Sequence, residues 1–306
     1  MSAVADEVIP VLLTLHDGFD LLDFAGPLEV LSHTKQPDQS EAFDVTIASV
    51  TDSLEVRSAQ GAMIKAHINL KEARERLSEF EILIVPGGGA SSQVDLKSEV
   101  RPNDINLSDP GQVPIIKAFA DIQETDPKRE RTLLSVCTGS LFLAKAGVLR
   151  GLYATTHPEY DTQLEMICQH AASHVTEHRT EILSCRYVVN NARFDIEDPE
   201  DESAPQNPFI QTLEQYKRAQ QERRKSNARR GSVSYKQASI PENTAARAAK
   251  RLGGLRVITA GGVMSGIDAA LYVSSAYVSI EAAKDAALVM QHFDWQKGVV
   301  VDSIDF

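Results

Sequence analysis

Short, continuous apolar runs recur along this chain, and amphipathic segments separate them. Runs of this kind, without polar alternation, are typical of strands that are covered on both faces of a sheet. The runs occupy residues 7–15, 43–50, 80–85, 131–137 and 255–260. Strands that alternate with helices predict an α/β fold, with a doubly wound, mainly parallel sheet sandwiched by helices.

The segments between these runs have helical periodicity in most places. A helix is expected to begin with Gly26-Pro27 as its first turn and to run to about residue 33, since Pro is tolerated at the first helical position. Further helices are expected within residues 70–78, 111–123, 140–149 and 158–171, and a single long helix over 266–293 closes the fold. The alternating stretch LEVRSAQGAMIKAHI (54–68) predicts a hairpin at the margin of the sheet. A further short strand is expected at YATTH, residues 153–157.

One part of the chain lacks this regularity. The acidic stretch DIEDPEDE (195–202) and the basic stretch KRAQQERRKSNARRGSVSYK (217–236) contain few aliphatic residues. Such blocks bury too little apolar surface to offset the entropy of ordering. We therefore predict a single domain over residues 1–306, with a charged, flexible insertion at 196–254.

Composition and charge restrict the possible functions. The chain of 306 residues has 42% hydrophobic residues and a net charge of -12, which argues against a general nucleic-acid or acidic-membrane binder. No apolar run reaches the ~20 residues of a membrane span, and no secretory signal is recognised at the start. Three cysteines without metal-type spacing suggest neither a disulfide framework nor a metal site. A cytoplasmic location is expected, with nuclear access left open.

Three polar or glycine-rich features follow predicted strands. They are Asp23 with its loop, the glycines 87–89, and the segment 137–139. In open α/β sheets, ligands bind beyond the carboxyl ends of the strands. We therefore expect these features to meet in one pocket that binds a small-molecule substrate.

Cys137 occupies the joint between a strand and a helix in the sequence SVCTG. A nucleophile on such a sharp turn forms a nucleophile elbow, although Ser135 replaces the first glycine of the usual G-x-S-x-G motif. The start of the helix is expected to lower the pKa of the thiol and favour the thiolate. A buried structural cysteine is the alternative, and it is the expected role of Cys168 and Cys185.

Other residues could complete a catalytic site around the cysteine. The amides of Thr138 and Gly88, with Gly87 beside it, are candidate oxyanion donors. Asp23 is either a general acid/base or a helix cap. His157 is either a group at the pocket rim or a structural histidine, and Asp268 is expected to cap the last helix.

Several segments together resemble one protein family. The stretches VPGGGA, SVCTGSLFLAKAGVLRG, ATTHPEY and TAGGVMSGIDAAL follow LLDFAGPLEVL in that order. They are similar to the ThiJ/PfpI superfamily, with its class I glutamine-amidotransferase-like fold, over about residues 7–194 and 255–293. The similarity is greatest to the branch with isonitrile hydratases and the amidotransferase-like domains of some AraC-type regulators. The resemblance implies a flavodoxin-like sandwich, a homodimer and a reactive cysteine at Cys137.

The resemblance also implies an activity. In the hydratase branch an aspartate accompanies the cysteine, and it corresponds to Asp23, while Thr138 shapes the site. Many family proteases and glyoxalases have His directly after the cysteine, where this chain has Thr138. The expected function is therefore that of a lyase without a cofactor, which adds water to an isonitrile to give an N-substituted formamide. A glyoxalase- or deglycase-like enzyme and a cysteine redox sensor or ligand-binding regulator remain as alternatives.

Overall fold

A central sheet of eight strands organises the protein. The computed structural model describes residues 8–88, 111–172, 179–191, 207–224 and 251–301. Numbered in chain order, the strands in these ranges are β1 (Ile9–Leu15), β2 (Phe43–Ser49), β3 (Glu55–Arg57), β4 (Met63–Lys65), β5 (Ile82–Val85), β6 (Thr132–Val136), β7 (Tyr153–Ala154), β8 (Glu181–Ile182), β9 (Tyr187–Asn190), β10 (Ile210–Thr212), β11 (Arg256–Ala260) and β12 (Gly298–Val301).

The order of strands in the main sheet is β10-β12-β9-β11-β6-β5-β1-β2. The five strands from β2 to β11 run parallel, and β9, β12 and β10 run in the opposite direction. Ser135 of β6 pairs with Val85 on one side and Thr259 on the other. This register brings the carboxyl ends of β5, β6 and β11 to one edge of the sheet.

Helices cover both faces of the sheet. They are α1 (Leu21–His33), α2 (Leu70–Glu75), α3 (Gln112–Thr125), α4 (Gly139–Lys145), α5 (Asp161–Ala171), α6 (Leu213–Arg224), α7 (Val263–Tyr277) and α8 (Ile280–Val289). Helices α1, α7 and α8 share one apolar core, and α2 to α5 share the other. Along β1, Val11 and Leu13 enter the first core and Leu12 the second. Side chains of a strand alternate between faces, so a continuous apolar run is required here. The predicted fold class is confirmed.

The last predicted helix is divided into two. Helix α7 ends at Tyr277 and α8 begins at Ile280. The side chain of Ser279 accepts a hydrogen bond of 3.0 Å from the amide of Ala282 and so caps the second helix. The prediction of one continuous helix was therefore wrong, because serine favours the extended conformation of a cap over a position inside a helix.

Two other predicted elements differ in detail. The hairpin at residues 54–68 forms as β3 and β4, which make a separate two-stranded sheet. The strand expected at YATTH contains only Tyr153 and Ala154, and it pairs with β8 outside the main sheet. The residues that follow β7 are thereby free to turn toward the edge where β6 and β11 end.

The predicted insertion at 196–254 lies partly outside the described residues. Within it, residues 207–224 include β10, which joins the edge of the main sheet beside β12, and helix α6. Residues 196–206 and 225–250 are not among those described. The division of the chain into one domain and an insertion stays a prediction. No helix in the described part of the chain is long and apolar enough to cross a membrane.

Candidate active site

Cys137 sits at the turn between β6 and α4, as the sequence predicts. Its backbone φ of 57° lies in the left-handed region, although it is not glycine. Such a conformation costs about 1–3 kcal/mol and persists only where the surroundings enforce it. Gly139 allows the turn to pack tightly, because a Cβ at this position would lie 2.4 Å from the carbonyl oxygen of Val85. The strand, the strained turn and the helix together form a nucleophile elbow.

Asp23 comes to this turn from the first helix. It lies in the first turn of α1, and its side chain is fully buried. The cap of α1 is Asp20, whose side chain accepts a hydrogen bond of 3.1 Å from the amide of Leu22. Helix α1 begins five residues before Gly26, so the prediction of a first turn at Gly26-Pro27 was wrong, and the capping role considered for Asp23 belongs to Asp20. Asp23 instead lies beside Cys137, and the two side chains influence each other's ionisation.

Two glycines after β5 hold Asp23 and the residue that follows Cys137 in place. The amide of Gly87 donates a hydrogen bond of 3.1 Å to Oδ2 of Asp23, and the amide of Gly88 donates one of 2.8 Å to Oγ1 of Thr138. Both amides thus have acceptors within the protein. The contacts show Gly88 as a support for Thr138, and its predicted role as an oxyanion donor stays a prediction. Oδ1 of Asp23 is buried and has no hydrogen-bond partner among the described residues.

Burial has a large effect on the carboxyl of Asp23. Loss of solvation, with a smaller contribution from the negative charge of Asp20, raises its pKa from 3.8 to about 7, and the hydrogen bond from Gly87 opposes this rise. A carboxyl with this pKa exists in both protonation states at neutral pH, so it can accept and donate a proton in one reaction cycle. The expectation that Asp23 keeps a proton near neutral pH agrees with this shift.

The pKa of the Cys137 thiol is raised, whereas the sequence led us to expect that it is lowered. Burial raises its pKa well above the ordinary value, and the charge of Asp23 raises it further, while the amide of Thr138 opposes the shift. The expectation of a resting thiolate was wrong, because desolvation outweighs the start of a helix that has only seven residues. The resting thiol is protonated, and it needs a base to become a nucleophile.

A histidine that the sequence analysis missed supports the glycine turn. His16 follows β1 and is buried, which lowers its pKa to about 4. The neutral ring donates from Nε2 to the carbonyl oxygen of Gly88 (3.2 Å) and accepts at Nδ1 from the side-chain Nε2 of Gln112 (3.4 Å). Its position directly after a buried strand was the signal, because ligand sites lie beyond strand ends.

His157 lies on the neighbouring segment and has mainly local contacts. Its Nδ1 accepts a hydrogen bond of 3.3 Å from the amide of Glu159, and its ring contacts Tyr160 edge to face. These contacts cap the turn at Pro158–Tyr160. Its predicted role in substrate binding stays a prediction. Among the described residues, no group of three or more His, Cys, Asp or Glu side chains could hold a metal ion.

Parts of the chain are similar to known proteins. Residues 10–102 match the DJ-1/PfpI family. An uncharacterized protein in the cpoL 5' region of Streptomyces lividans is 28% identical over 158 residues, which are 52% of this chain and 94% of that protein. The DJ-1/PfpI match includes Asp23, Gly87 and Gly88, and it ends before Cys137.

Solved structures show the same fold. An AraC family transcriptional regulator from Pseudomonas putida has a TM-score of 0.54 at 15% identity, over 92% of this chain and 99% of that chain. DJ-1 from Schizosaccharomyces pombe has a TM-score of 0.51 at 14% identity, over 92% of this chain and 98% of that chain. At this identity the similarity establishes the α/β sandwich and nothing finer.

Substitution of Gly87 by alanine should disrupt the site. A Cβ at this position would lie 2.6 Å from the Thr138 amide nitrogen and 2.8 Å from Oδ2 of Asp23. Since the Thr138 amide and the Asp23 carboxyl both act on the Cys137 sulfur, we expect Gly87→Ala to slow turnover at Cys137 by at least about tenfold. The control is Gly262→Ala, whose Cβ would approach nothing closer than 3.5 Å from the His157 ring. Equal rates in the two variants would contradict the assignment.

Proposed function

We propose that the protein is a member of the DJ-1/PfpI family and an enzyme that hydrates an isonitrile to an N-substituted formamide. One observation carries the proposal: a strained cysteine shares a buried site with a carboxyl whose pKa is about 7. A protonated thiol beside such a carboxyl forms a nucleophile–base pair that works without a metal ion or cofactor.

The first step adds the thiol across the terminal carbon of the isonitrile. The Asp23 carboxylate accepts the thiol proton as the Cys137 sulfur attacks that carbon, and the resulting carboxylic acid delivers the proton to the same carbon. A carbon–sulfur and a carbon–hydrogen bond form while the sulfur–hydrogen bond breaks. The product is a thioimidate on Cys137, and Asp23 is again a carboxylate.

The second step adds water to this thioimidate. Asp23 removes a proton from water as the oxygen attacks the carbon, and this proton passes to the nitrogen. The tetrahedral intermediate then expels the sulfur, which takes up the hydroxyl proton through Asp23. The formamide leaves, and the thiol and the carboxylate are restored, so that the net reaction consumes one isonitrile and one water molecule.

The residue after the cysteine favours this reaction over the alternative carbonyl chemistry. Thr138 has no titratable group, and its Oγ1 accepts the Gly88 amide. All proton transfers at the sulfur are thereby assigned to Asp23. A glyoxalase- or deglycase-like reaction would gain from a second base beside the cysteine, and the described contacts of His157 are with its own turn.

The ionisation of the thiol also bears on the redox-sensor alternative. Sensor cysteines have low pKa values and are exposed, since the thiolate is the form that peroxide oxidises. Cys137 is only 8% exposed, and its pKa is raised. These properties support a thiol that is activated by a base during catalysis.

The test of the function is a turnover assay. The wild-type protein, incubated with an alkyl or aryl isonitrile such as cyclohexyl isocyanide, should produce the matching formamide, detected by mass spectrometry. Cys137→Ala should reduce the rate to that of the uncatalysed reaction, and Cys168→Ala, which removes a buried cysteine elsewhere, should leave it unchanged. Turnover of methylglyoxal alone would replace the proposal with the carbonyl reaction. Selective oxidation of Cys137 by peroxide without either turnover would replace it with the sensor.

A further inference from the structure

The peptide groups on both sides of Cys137 are held by hydrogen bonds. Its amide donates to the carbonyl oxygens of Ala260 (3.0 Å) and Gly261 (2.8 Å) at the end of β11. Its own carbonyl oxygen accepts from the hydroxyls of Ser140 (3.2 Å) and Thr156 (3.1 Å). A carbonyl oxygen has two lone pairs, so both acceptor positions are used.

The two hydroxyls differ in what they connect. Ser140 lies three residues after Cys137, so its hydrogen bond is local to the start of α4. Thr156 lies nineteen residues away, on the segment that follows β7, and joins that segment to the elbow. Both side chains are buried. Water cannot readily replace the hydrogen bond of a buried hydroxyl. The hydrogen bond from Thr156 therefore constrains the peptide group of Cys137 as well as the segment that carries Thr156.

A second set of contacts fixes the segment that carries Thr156. The amide of Thr155 donates a hydrogen bond of 2.9 Å to Oγ1 of Thr259 on β11, and the Thr155 hydroxyl donates to the carbonyl oxygen of Cys185. The Thr156 hydroxyl is thus presented from a segment that is itself anchored to the sheet. A donor with a fixed position is the kind of group that can enforce an unfavourable backbone conformation.

We propose that Thr156 is a positioning residue that holds the Cys137 peptide in its left-handed conformation and thereby keeps the sulfur beside Asp23 and the Thr138 amide. This inference rests on the proposed function in so far as Cys137 is the nucleophile. Loss of the hydroxyl frees one lone pair of the Cys137 carbonyl, and the residue then relaxes toward an ordinary φ. The sulfur moves away from the Asp23 carboxylate and toward solvent.

The test compares Thr156→Val, which removes the hydroxyl at nearly constant shape, with Thr156→Ser, which keeps it. The readout is the rate of Cys137 alkylation by iodoacetamide between pH 6 and 10, followed by peptide mass spectrometry without any substrate. In Thr156→Val the sulfur leaves the buried, negatively charged surroundings that suppress the thiolate. Over this pH range the alkylation rate is proportional to the thiolate fraction, because the pKa of the Cys137 thiol lies well above its ordinary value. Alkylation of Thr156→Val at pH 8 should therefore be about tenfold faster than that of the wild type, which corresponds to a fall of about one unit in the pKa of the thiol. Thr156→Ser should stay within about twofold of the wild type.

Two further variants distinguish positioning from stability. Thr34→Val also removes a buried threonine hydroxyl, which donates to the carbonyl oxygen of Val30 far from the elbow. It should lower the melting temperature without changing the alkylation rate at pH 8. Ser140→Ala removes the other donor to the same carbonyl oxygen and should raise the alkylation rate at pH 8, as Thr156→Val does. It provides the test if Thr156→Val does not fold.

Several results would overturn the inference. An unchanged alkylation rate at pH 8 in Thr156→Val, or in Ser140→Ala if the first variant does not fold, would show that the hydroxyls do not position the sulfur. An equal increase in the rate of Thr156→Ser would assign the effect to packing. If Cys137 of the wild type takes up no label at any pH, it is not a nucleophile. This result would refute both the proposed function and the role of Thr156. Labelling of the wild type without a change of rate in the variants would refute the positioning role alone.

Discussion

Replacement of Asp23 by asparagine should abolish turnover while making the fold more stable at alkaline pH. The amide has the shape of the carboxyl and can still accept the hydrogen bond of 3.1 Å from Gly87, but it cannot accept the thiol proton. Removal of a general base lowers rates by about 10²- to 10⁴-fold. The wild-type kcat/KM should rise with pH through a midpoint of about 7, where Asp23 loses its proton, and the residual activity of Asp23→Asn should lack this step.

The gain in stability follows from the sign of the pKa shift. The pKa of Asp23 is about 7 in the folded protein against 3.8 for the free side chain, so the folded state binds the proton more tightly. Its stability is therefore unaffected by this group below pH 3.8 and falls as the pH rises from about 4 to about 7. At pH 8 the buried carboxylate should destabilise the fold by on the order of 4 kcal/mol, a penalty that asparagine removes.

Turnover and thermal unfolding, measured on the same samples at pH 5 and pH 8, provide the check. The difference in melting temperature between Asp23→Asn and the wild type should be small at pH 5 and clearly positive at pH 8. Asp44→Asn, which neutralises an exposed carboxyl on β2, should change neither property. A variant that keeps its turnover would exclude Asp23 as the base. A variant that is less stable than the wild type at pH 8 would mean that the Asp23 charge is compensated in the fold.

Much of the fold could be predicted because the buried strands carry unbroken apolar runs. In β1 the two faces of the strand enter different cores, so apolar residues occupy both faces and Thr14 is the one polar residue of the strand. The edge strand β10 and its neighbour β12 gave no comparable signal. β10 contains IQT beside a basic helix, and β12 contains GVVV after a polar loop. Their place depends on pairing with each other and with β9, which no local pattern encodes.

The site could be predicted as far as the topology of the sheet determines it. Parallel strands deliver their carboxyl ends to one edge, so Cys137 and the glycines after β5 had to meet. The same argument from the sheet included Asp23 with its loop, whereas the family resemblance supplied its catalytic role, and the structure supports its position beside Cys137. The ionisation state could not be predicted, because it depends on burial. The sequence pointed to a helix start beside the thiol, whereas the pKa of the thiol is raised by desolvation and by Asp23.

Asp268, in α7, illustrates the same limit. The sequence suggested a cap, but α7 begins at Val263 with Gly262 as its cap, so Asp268 lies inside the helix and is fully buried. Its Oδ2 accepts from Nε of Arg186 (2.6 Å) and from the amide of Gln296 (3.2 Å). Its Oδ1 contacts Nε2 of His292 at 2.7 Å. One buried carboxylate thus joins the start of β9 and the segment before β12 to α7.

Asp268→Ala should therefore cause a large loss of stability. Removal of one partner from a buried ionic network leaves the others uncompensated and costs about 3–5 kcal/mol. We expect the lower end, about 3 kcal/mol, because the side chain of Arg186 is 32% exposed and can regain water. Thermal unfolding followed by circular dichroism measures the effect as a fall in melting temperature of about 6 °C or more. Asp285→Ala, at an exposed position of α8, should stay within about 0.5 kcal/mol of the wild type. A comparably small loss in Asp268→Ala would show that the three segments hold together by apolar packing alone.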